Sequence, residues 1–338
     1  MNNIFEVLLI LIILTTLSIF LLKLYQKNKE KLIKEQKEDI LKLIYKHSLQ
    51  NENINFENLQ FRIKTKELQK ILDTLLKERK IKYEKNNIKL TQEGINQARE
   101  IIEKHRNIEK HLFENTSTNL EDIHSIAEKQ EHEELKEIKE NTSKSYNCID
   151  PHGDLIKGEN LPSFPLSQLI GEMSFVSKLF KIIHVEDEPA EIYKKIISMD
   201  LAPFDYIKIK NISSSTIEIL TNKGQLLEID FITSQNIHVT SIEDKQISEF
   251  FENLEKCLPS ITTLDKLQIN QKAIIIGISF YVRGEERRRL LELGFVKNSL
   301  IQPLYNNMLG TDPRVYKIKN TTIALRKEQA QKIYVLKQ

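Results

Sequence analysis

Residues 90–114 read LTQEGINQAREIIEKHRNIEKHLFE, residues 121–132 read EDIHSIAEKQEH and residues 150–153 read DPHG; these stretches decide the fold of the chain. The first predicts one long helix that starts near Thr91, because a capping residue precedes a regular apolar spacing. The second predicts another helix, which is very polar, and DPHG predicts a turn. The region is therefore expected to be two consecutive helices followed by a turn.

Histidines and carboxylates recur on both predicted helices at spacings of one helical turn. Residues three and four apart share a helix face, so the side chains of each helix converge along one seam. The residues concerned are His105 and Glu109 on the first helix, and His124, Glu128, Glu131 and His132 on the second. Imidazole and carboxylate together suit Mn²⁺ or Fe²⁺, whereas thiolate-rich sets favour zinc or iron–sulfur clusters. A solvated Glu- and Lys-rich helix explains any single pair, but two adjacent helices favour a metal site.

The KHR element, the H-x-x-x-[C/E]-x-x-E-H element and the DPHG turn together resemble the diphtheria-toxin-repressor family of iron- and manganese-dependent repressors. They occur in the order of its metal-binding and dimerisation domain, and the resemblance covers about residues 38–156. It implies an ancillary metal site of His105, Glu109 and His124, and a regulatory site of Asp39, Glu128, Glu131 and His132. In such proteins the metal links the first helix to the dimerisation helices and so sets the angle of the DNA-reading helices.

The ligand pattern of the regulatory site resembles the manganese-type members, which have Glu at the position of Glu128. Those members also carry a carboxylate three residues after Asp39, where this chain has Lys42. A cation beside a divalent metal is repulsive. We therefore expect this site to be weaker, rearranged or open to water.

Upstream of the metal motifs, three helices followed by a hairpin are predicted over residues 26–92, the order of a winged helix-turn-helix. The hairpin occupies residues 81–90, around an Asn-Asn turn. The third helix, capped by Thr65, is expected to enter the major groove, and lysines there and on the wing neutralise phosphates. The predicted DNA-binding residues are Lys64, Thr65, Lys66, Lys70, Lys85 and Lys89. The alternative is an amphipathic helix whose charged face meets only water.

Short alternating strands predict two further β domains after the dimerisation helices of residues 93–147. Residues 264–338, through RRRLLELGF and the segment after it, resemble FeoA, a small SH3-like barrel associated with ferrous-iron uptake. Residues 166–242 resemble the same domain more weakly, and residues 148–165 and 243–263 are read as linkers. In the repressor family the SH3-like domain lends side chains to the ancillary metal site. The segment HVEDEPAEIY offers Glu188 or Glu191 for this.

The N-terminal segment, residues 4–22, is almost wholly apolar and has about the length that a bilayer-spanning helix needs. No Lys or Arg precedes it, and six lysines follow, which places the bulk of the chain in the cytoplasm. We therefore expect a transmembrane anchor over residues 1–25 and a single-pass inner-membrane protein. A buried core helix and a signal peptide are the alternatives.

The composition favours a regulator over an enzyme. A net charge of +2 leaves only local basic patches for nucleic acid, and Cys148 and Cys257 form no disulfide framework. Neither a nucleophile–base pair nor a phosphate-binding glycine motif is present in the sequence. The leading hypothesis is an α+β, membrane-anchored, homodimeric repressor that binds operator DNA with Mn²⁺ or Fe²⁺. The rival is a FeoA-type interaction protein that contacts a ferrous-iron transporter without binding DNA.

Overall fold

The computed structural model describes residues 2–49, 52–62, 67–133, 149–158, 160–306 and 312–338, with side chains from residue 14 onward except that of residue 62. The chain divides into two compact units. The first comprises Met1–His105 and Glu128–Thr142, and the second comprises Arg106–Ala127 and Ser143–Gln338. The mixed α+β fold predicted from the sequence is confirmed, with helices at the metal motifs and β-sheets in the C-terminal half.

The first unit is built from helices and one hairpin. In chain order these are α1 (Asn2–Leu49), α2 (Phe56–Arg62), α3 (Leu68–Lys77), β1 (Ile81–Glu84), β2 (Asn87–Leu90) and the first part of α4 (Gln92–Asn115). The apolar faces of α1 and α3 pack against the hairpin. The completely buried residues of this core include Ile40, Leu41, Leu72 and Leu75. This core fixes the position of the α1 residues next to Ile40.

The hairpin has a two-residue turn, one position earlier than the Asn-Asn turn predicted from the sequence. Glu84 pairs with Asn87, so Lys85 and Asn86 are the turn residues, with φ values of 50° and 67°. A two-residue turn with positive φ at both positions has a backbone twist that matches the right-handed twist of the flanking strands. At its base Gly94 is essential, because a Cβ there would lie 2.0 Å from the carbonyl oxygen of Lys80.

The predicted transmembrane anchor and the inner-membrane location are wrong. Within the part of the chain that the structure describes, no helix has an apolar stretch long enough to span a membrane. The first helix, α1, begins at Asn2. The same helix then continues without a break to Leu49. The first of the three helices predicted over residues 26–92 is thus the C-terminal part of α1.

The second unit is dominated by β-structure. Besides the rest of α4 and the start of α5 (Ile123–Glu131), its described residues form two six-stranded antiparallel sheets. The first has the order β3-β8-β4-β5-β6-β7. Its strands are β3 (Phe164–Pro165), β4 (Leu179–Val185), β5 (Tyr206–Ile212), β6 (Thr216–Thr221), β7 (Leu226–Asp230) and β8 (Ile237–Ile242). Helices α6 (Ala190–Ser198) and α7 (Phe231–Gln235) lie within it in sequence.

The second sheet follows α8 (Lys245–Cys257) and has the order β13-β12-β11-β10-β14-β9. Its strands are β9 (Ile261–Thr263), β10 (Ala273–Ile278), β11 (Leu300–Asn306), β12 (Arg314–Ile318), β13 (Thr321–Leu325) and β14 (Ile333–Lys337), and its helices are α9 (Gly284–Glu292) and α10 (Lys327–Ala330). Each sheet encloses its own apolar core, one around Phe180 and the other around Phe295 and Tyr316.

Buried polar bonds join the two sheets of the second unit. The carboxylate of Asp200, which follows α6, accepts hydrogen bonds from the hydroxyls of Ser279 and of Tyr334, the latter at 2.8 Å. Tyr281 donates to the carbonyl oxygen of Leu201 at 2.6 Å. Because these polar groups are buried and paired, separating the sheets would leave them unsatisfied.

The second sheet also contacts the end of α4. Arg283 donates to the carbonyl oxygens of Leu112 and Phe113 at 3.2 and 3.3 Å, and its guanidinium lies over the ring of Phe113. A cation at a helix C-terminus satisfies carbonyls that lack a partner within the helix. The last turn of α4, which follows Glu109, is therefore held by the FeoA-like region.

Candidate metal centres

The first group of titratable side chains lies in the first unit. We call it the α1–α5 cluster; it consists of Glu38, Asp39, Lys42, His105, Glu128, Glu131 and His132. Three members lie on α1, next to the buried Ile40 and Leu41. They are Glu38, Asp39 and Lys42. The cluster includes every residue of the predicted regulatory site.

His132 is held by two carboxylates of α1. Its Nδ1 lies 2.7 Å from Oε2 of Glu38, and its Nε2 lies 3.2 Å from Oδ1 of Asp39. Burial lowers the pKa of His132, but the hydrogen bonds to Asp39 and Glu38 outweigh it and raise the pKa to about 9. His132 is therefore an imidazolium at neutral pH in this arrangement and is not ready to bind a metal ion.

Glu131 is buried and already neutralised by cations. Lys42 Nζ lies 2.9 and 3.0 Å from its two oxygens, and Nδ1 of His105 bonds to Oε2. Burial raises the pKa of Glu131, but the bond from His105 and the charge of Lys42 lower it below its ordinary value. Lys42 also lies 3.9 Å from Glu128. Asp39, Glu131 and His132 each offer a ligand atom within 4.8 Å of the other two. The ammonium group of Lys42 already bonds to Glu131, so a divalent ion would have to displace it.

The second group lies entirely in the second unit. We call it the His152 cluster; it consists of Glu109, His124, His152 and Asp187. His124 Nδ1 lies 3.1 Å from Oε1 of Glu109 and 2.7 Å from Oδ2 of Asp187. His152 Nε2 lies 3.7 and 3.5 Å from the same two oxygens. Glu109, His152 and Asp187 thus each offer a ligand atom within 4.8 Å of the other two, and Nδ1 of His124 contacts both carboxylates.

The DPHG turn positions His152 through its own backbone. Asp150 accepts hydrogen bonds at 2.9 Å from the backbone N–H groups of His152 and Asp154, and Val185 donates to the carbonyl oxygen of His152 at 2.9 Å. Gly153 has a φ of 102°, and a Cβ there would lie 2.1 Å from the carbonyl oxygen of Ile183. Only glycine fits this close approach. The turn therefore lies directly against β4, the strand that leads to Asp187.

The buried ring of His152 lacks hydrogen bonds. It is only 4% exposed, and neither ring nitrogen has a hydrogen-bond partner among the described residues. Such a group is rare in proteins and indicates a missing ion or water. Ligands of an octahedral ion at about 2.1 Å lie about 3 Å apart, close to the spacing of these donor atoms. The donor set fits Mn²⁺ or Fe²⁺.

Neighbouring histidines stabilise the ionised form of Asp187. Burial raises the pKa of Asp187, but the hydrogen bond from His124 and the neighbouring charges of His152 and His124 hold it well below its ordinary value. Glu109 is 2% exposed. A divalent ion would supply the positive charge that these two buried carboxylates require.

The assignment of His105, Glu109 and His124 to one ancillary metal site remains a prediction. Glu109 and His124 meet in the His152 cluster, whereas His105, one turn earlier on α4, bonds to Glu131 in the first unit. Glu188 lies 3.8 Å from His124, but its side chain is 73% exposed. Glu191 is exposed on α6.

Sequence reasoning missed three participants. His152 lies in the DPHG motif, from which no ligand was predicted, and Asp187 directly precedes Glu188. Glu38 directly precedes Asp39 on α1. The sequence signal for His152 was its place directly before Gly153 in the DPHG motif.

The predicted DNA-binding residues are only partly within the described chain. Lys64, Thr65 and Lys66 lie outside the described residues. Lys70 is exposed near the start of α3, and Lys85 is exposed in the hairpin turn. Lys89, on β2, pairs with Glu84 at 2.8 Å.

A buried set of imidazoles and carboxylates in a mixed α+β chain defines a metal-binding protein. Residues 91–157 match the model of the iron dependent repressor, metal binding and dimerisation domain, and residues 262–337 match the FeoA domain model. These matches confirm the family resemblance predicted from the sequence: the chain has a metal-binding and dimerisation domain of the iron-dependent repressors and a FeoA-like C-terminus. They also support the predicted cofactor, Mn²⁺ or Fe²⁺. No curated protein has significant similarity to the chain.

Solved structures are similar to parts of this chain. A manganese-dependent transcriptional repressor in complex with manganese is 18% identical with a TM-score of 0.52, over 61% of this chain and 99% of that one. T. acidophilum IdeR is 22% identical with a TM-score of 0.47, over 61% and 97%. An iron uptake regulatory protein, FeoA, is 22% identical with a TM-score of 0.20, over 23% and 97%. At these identities the first likeness shows a common fold.

Proposed function

We propose that the chain is a transcriptional repressor that binds operator DNA in response to Mn²⁺ or Fe²⁺. The observation that carries the proposal is the His152 cluster, whose Glu109 and His124 lie inside the segment that matches a metal-binding and dimerisation domain. The matched fold of a manganese-dependent transcriptional repressor supports the same class of function. A non-enzymatic role agrees with both matches.

The metal would act by holding separate elements together. Glu109 comes from α4, His124 from α5, His152 from the DPHG turn and Asp187 from the end of β4. When bound, the ion supplies the positive charge that allows the two carboxylates to approach. A ligand shifts an equilibrium only by its differential affinity for the two states, so the loaded arrangement is favoured to the extent that these four donors meet.

The DNA-contacting part of the proposal rests on the first unit. The order of α1, α2, α3 and the hairpin supports a winged helix-turn-helix over residues 26–92, followed by dimerisation helices over residues 93–147 and SH3-like domains over residues 166–242 and 264–338. Lys70 and Lys85 would neutralise phosphates. Lys89 would do so only in competition with Glu84. A homodimer would place two such units on one operator.

The test is a selection of bound fragments from sheared genomic DNA by the purified full chain. One sample contains Mn²⁺, one contains Fe²⁺ under anaerobic conditions, and one contains a chelator. The proposal expects fragments upstream of genes to be enriched only with metal, and expects His152→Gln to lose that enrichment. Enrichment that is the same with chelator, or no enrichment in any sample, contradicts it.

A further inference from the structure

The arginine of the KHR element, Arg106, belongs to neither cluster described above. It lies on α4 three residues before Glu109, and residues three apart share one face of a helix. Its side chain is only 17% exposed. A largely buried guanidinium needs polar partners, because burying a charge without them is costly. The partners of Arg106 therefore indicate what its charge stabilises.

Three nitrogens of Arg106 reach three different residues of the DPHG turn and of the two positions that follow it. Nη1 donates to the carbonyl oxygen of Leu155, and Nη2 donates to Oδ2 of Asp154 at 2.8 Å. Nε lies 3.6 Å from Oδ2 of Asp150. The guanidinium therefore ties the turn, and with it His152, to α4.

Each of the two carboxylates beside the guanidinium also holds a second group. Oδ1 of Asp150 accepts hydrogen bonds from the backbone N–H groups of His152 and Asp154. Oδ1 of Asp154 lies 2.9 Å from Nδ1 of His184 on β4. The guanidinium is thus connected to the backbone of His152 through Asp150. Asp154 connects it to β4.

One face of α4 carries both the guanidinium and a ligand atom of the His152 cluster. Oε1 of Glu109 lies 3.7 Å from Nε2 of His152, and Oδ2 of Asp187 lies 3.5 Å from the same nitrogen. A turn that moved away from α4 would carry His152 away from Glu109, because the turn supplies the histidine and α4 supplies the glutamate. The bonds from Arg106 to the turn oppose that movement.

We propose that Arg106 is a positioning residue of the metal centre: it binds no ion itself but holds the DPHG turn so that His152 faces Glu109 and Asp187. The proposal deepens the function proposed above and rests on the His152 cluster. Groups that orient metal ligands change metal affinity by about 10- to 100-fold when they are removed. Loss of the guanidinium should therefore weaken metal binding although every ligand is still present.

The test is a calorimetric titration of Mn²⁺ into the full chain. We expect Arg106→Gln to weaken the binding event that depends on His152 by about 10-fold or more. In the His152→Gln background the same change should have no further effect on Mn²⁺ binding, because the ligand that Arg106 positions is already absent. Arg288→Gln, which removes an exposed arginine of α9, is the matched control and should bind as the wild type does.

Arg106→Lys tests the fork of donors. The guanidinium is a rigid planar fork, whereas lysine places one ammonium group on a flexible stem. Because the partners of Arg106 belong to three different residues, lysine would reach fewer of them, and we expect weaker Mn²⁺ binding than in the wild type. Wild-type affinity in Arg106→Lys would show that charge alone suffices and would refute the hold at three points.

A second measurement needs no metal. Hydrogen exchange in the presence of chelator, followed by mass spectrometry, reports on the peptide that contains the backbone N–H groups of His152 and Asp154. We expect faster exchange of this peptide in Arg106→Gln and unchanged exchange in the core around Phe295, because the arginine holds the turn locally. Exchange that accelerates equally in both places would indicate a general loss of stability and would overturn the positioning role.

The outcomes separate this proposal from the function on which it rests. If the wild type has no binding event that depends on His152, both fail. If Arg106→Gln binds Mn²⁺ like the wild type, or weakens binding equally in the His152→Gln background, only the positioning role fails. If Arg106→Gln does not fold, Asp154→Asn decides in its place: weaker Mn²⁺ binding supports the proposal, and unchanged binding refutes it.

Discussion

The Nζ atom of Lys42 lies 2.9 Å from Oε1 and 3.0 Å from Oε2 of Glu131, a nearly symmetric ion pair around a buried carboxylate. Glu131 is 2% exposed, so its charge needs a cationic partner. In this chain Lys42 provides that partner, at a position where the resemblance to manganese-type repressors predicts a carboxylate. The carboxylate of Glu131 is consequently paired without metal, whereas the ring of His152 has no hydrogen-bond partner among the described residues.

Restoring a carboxylate at position 42 should create an additional metal site. In Lys42→Glu, Asp39, Glu128, Glu131 and the new glutamate face His132 without a compensating lysine, and their repulsion is relieved by a divalent ion. We expect one more equivalent of bound Mn²⁺ than in the wild type, counted after equilibrium dialysis. Lys27→Glu, the same charge change at an exposed position of α1, is the control and should bind as the wild type does. An unchanged count in Lys42→Glu would show that the lysine does not block the cluster.

Gly153 in the DPHG turn and Gly158, five residues later, form a matched pair of glycines. Gly153 and Gly158 have φ values of 102° and 103°, but a Cβ at Gly153 would meet the carbonyl oxygen of Ile183 at 2.1 Å, whereas Gly158 has nothing within 4 Å. Both alanine variants carry a backbone cost of about 1–2 kcal/mol, and only Gly153→Ala adds a steric clash. We expect Gly153→Ala to lower the free energy of unfolding by at least about 2 kcal/mol more than Gly158→Ala does, as measured by denaturant titration. Equal losses would contradict the close packing of the turn on β4.

The stabilisation that His132 contributes should depend on pH. Its folded pKa of about 9 lies above the ordinary unfolded value of about 6.5, so protonation favours the folded chain. The contribution is complete below the unfolded value and disappears as pH rises through the folded one. Without metal, we expect His132→Gln to lower the free energy of unfolding more at about pH 6 than at about pH 9.5. A loss that is the same at both pH values would argue against the bonds to Glu38 and Asp39.

Tyr334→Phe should weaken the junction between the two sheets. It removes the donor to Asp200, at 2.8 Å, and leaves a buried carboxylate oxygen without that bond. We expect a loss of about 1–3 kcal/mol in denaturant unfolding. Tyr305→Phe removes the hydroxyl of a tyrosine that is 58% exposed and should cost less than about 0.5 kcal/mol. Similar effects of the two variants would mean that the buried hydrogen bond contributes little.

Local patterns predicted much of the fold. The hairpin predicted over residues 81–90 is β1 and β2, and the long helix predicted to start near Thr91 is α4, because alternation and helical spacing are properties of neighbouring residues. The predicted anchor rested on the apolar run of residues 4–22 and on the lysines that follow it. The described structure contains no span of sufficient length, and the lysine-rich residues that follow belong to the same helix.

The site was only half visible in the sequence for a physical reason. Helical spacing placed Glu109 and His124 on the faces of two predicted helices. Their partners are His152, in a turn, and Asp187, at the end of a strand, and both lie far along the chain. The position of Asp187 depends on where β4 ends, and that of His152 depends on the packing of Gly153 on β4. Likewise, the pairing of Lys42 with Glu131 joins distant residues, so spacing alone could not reveal it.

Calorimetric titration of Mn²⁺ into the full chain tests the central claim, that the His152 cluster binds a divalent ion. We expect the wild type and Glu188→Gln, a change at a glutamate that is 73% exposed beside the cluster, to bind alike. His152→Gln should lose one binding event or bind at least about tenfold more weakly at it. If His152→Gln takes up Mn²⁺ with the stoichiometry and affinity of the wild type, the claim is contradicted.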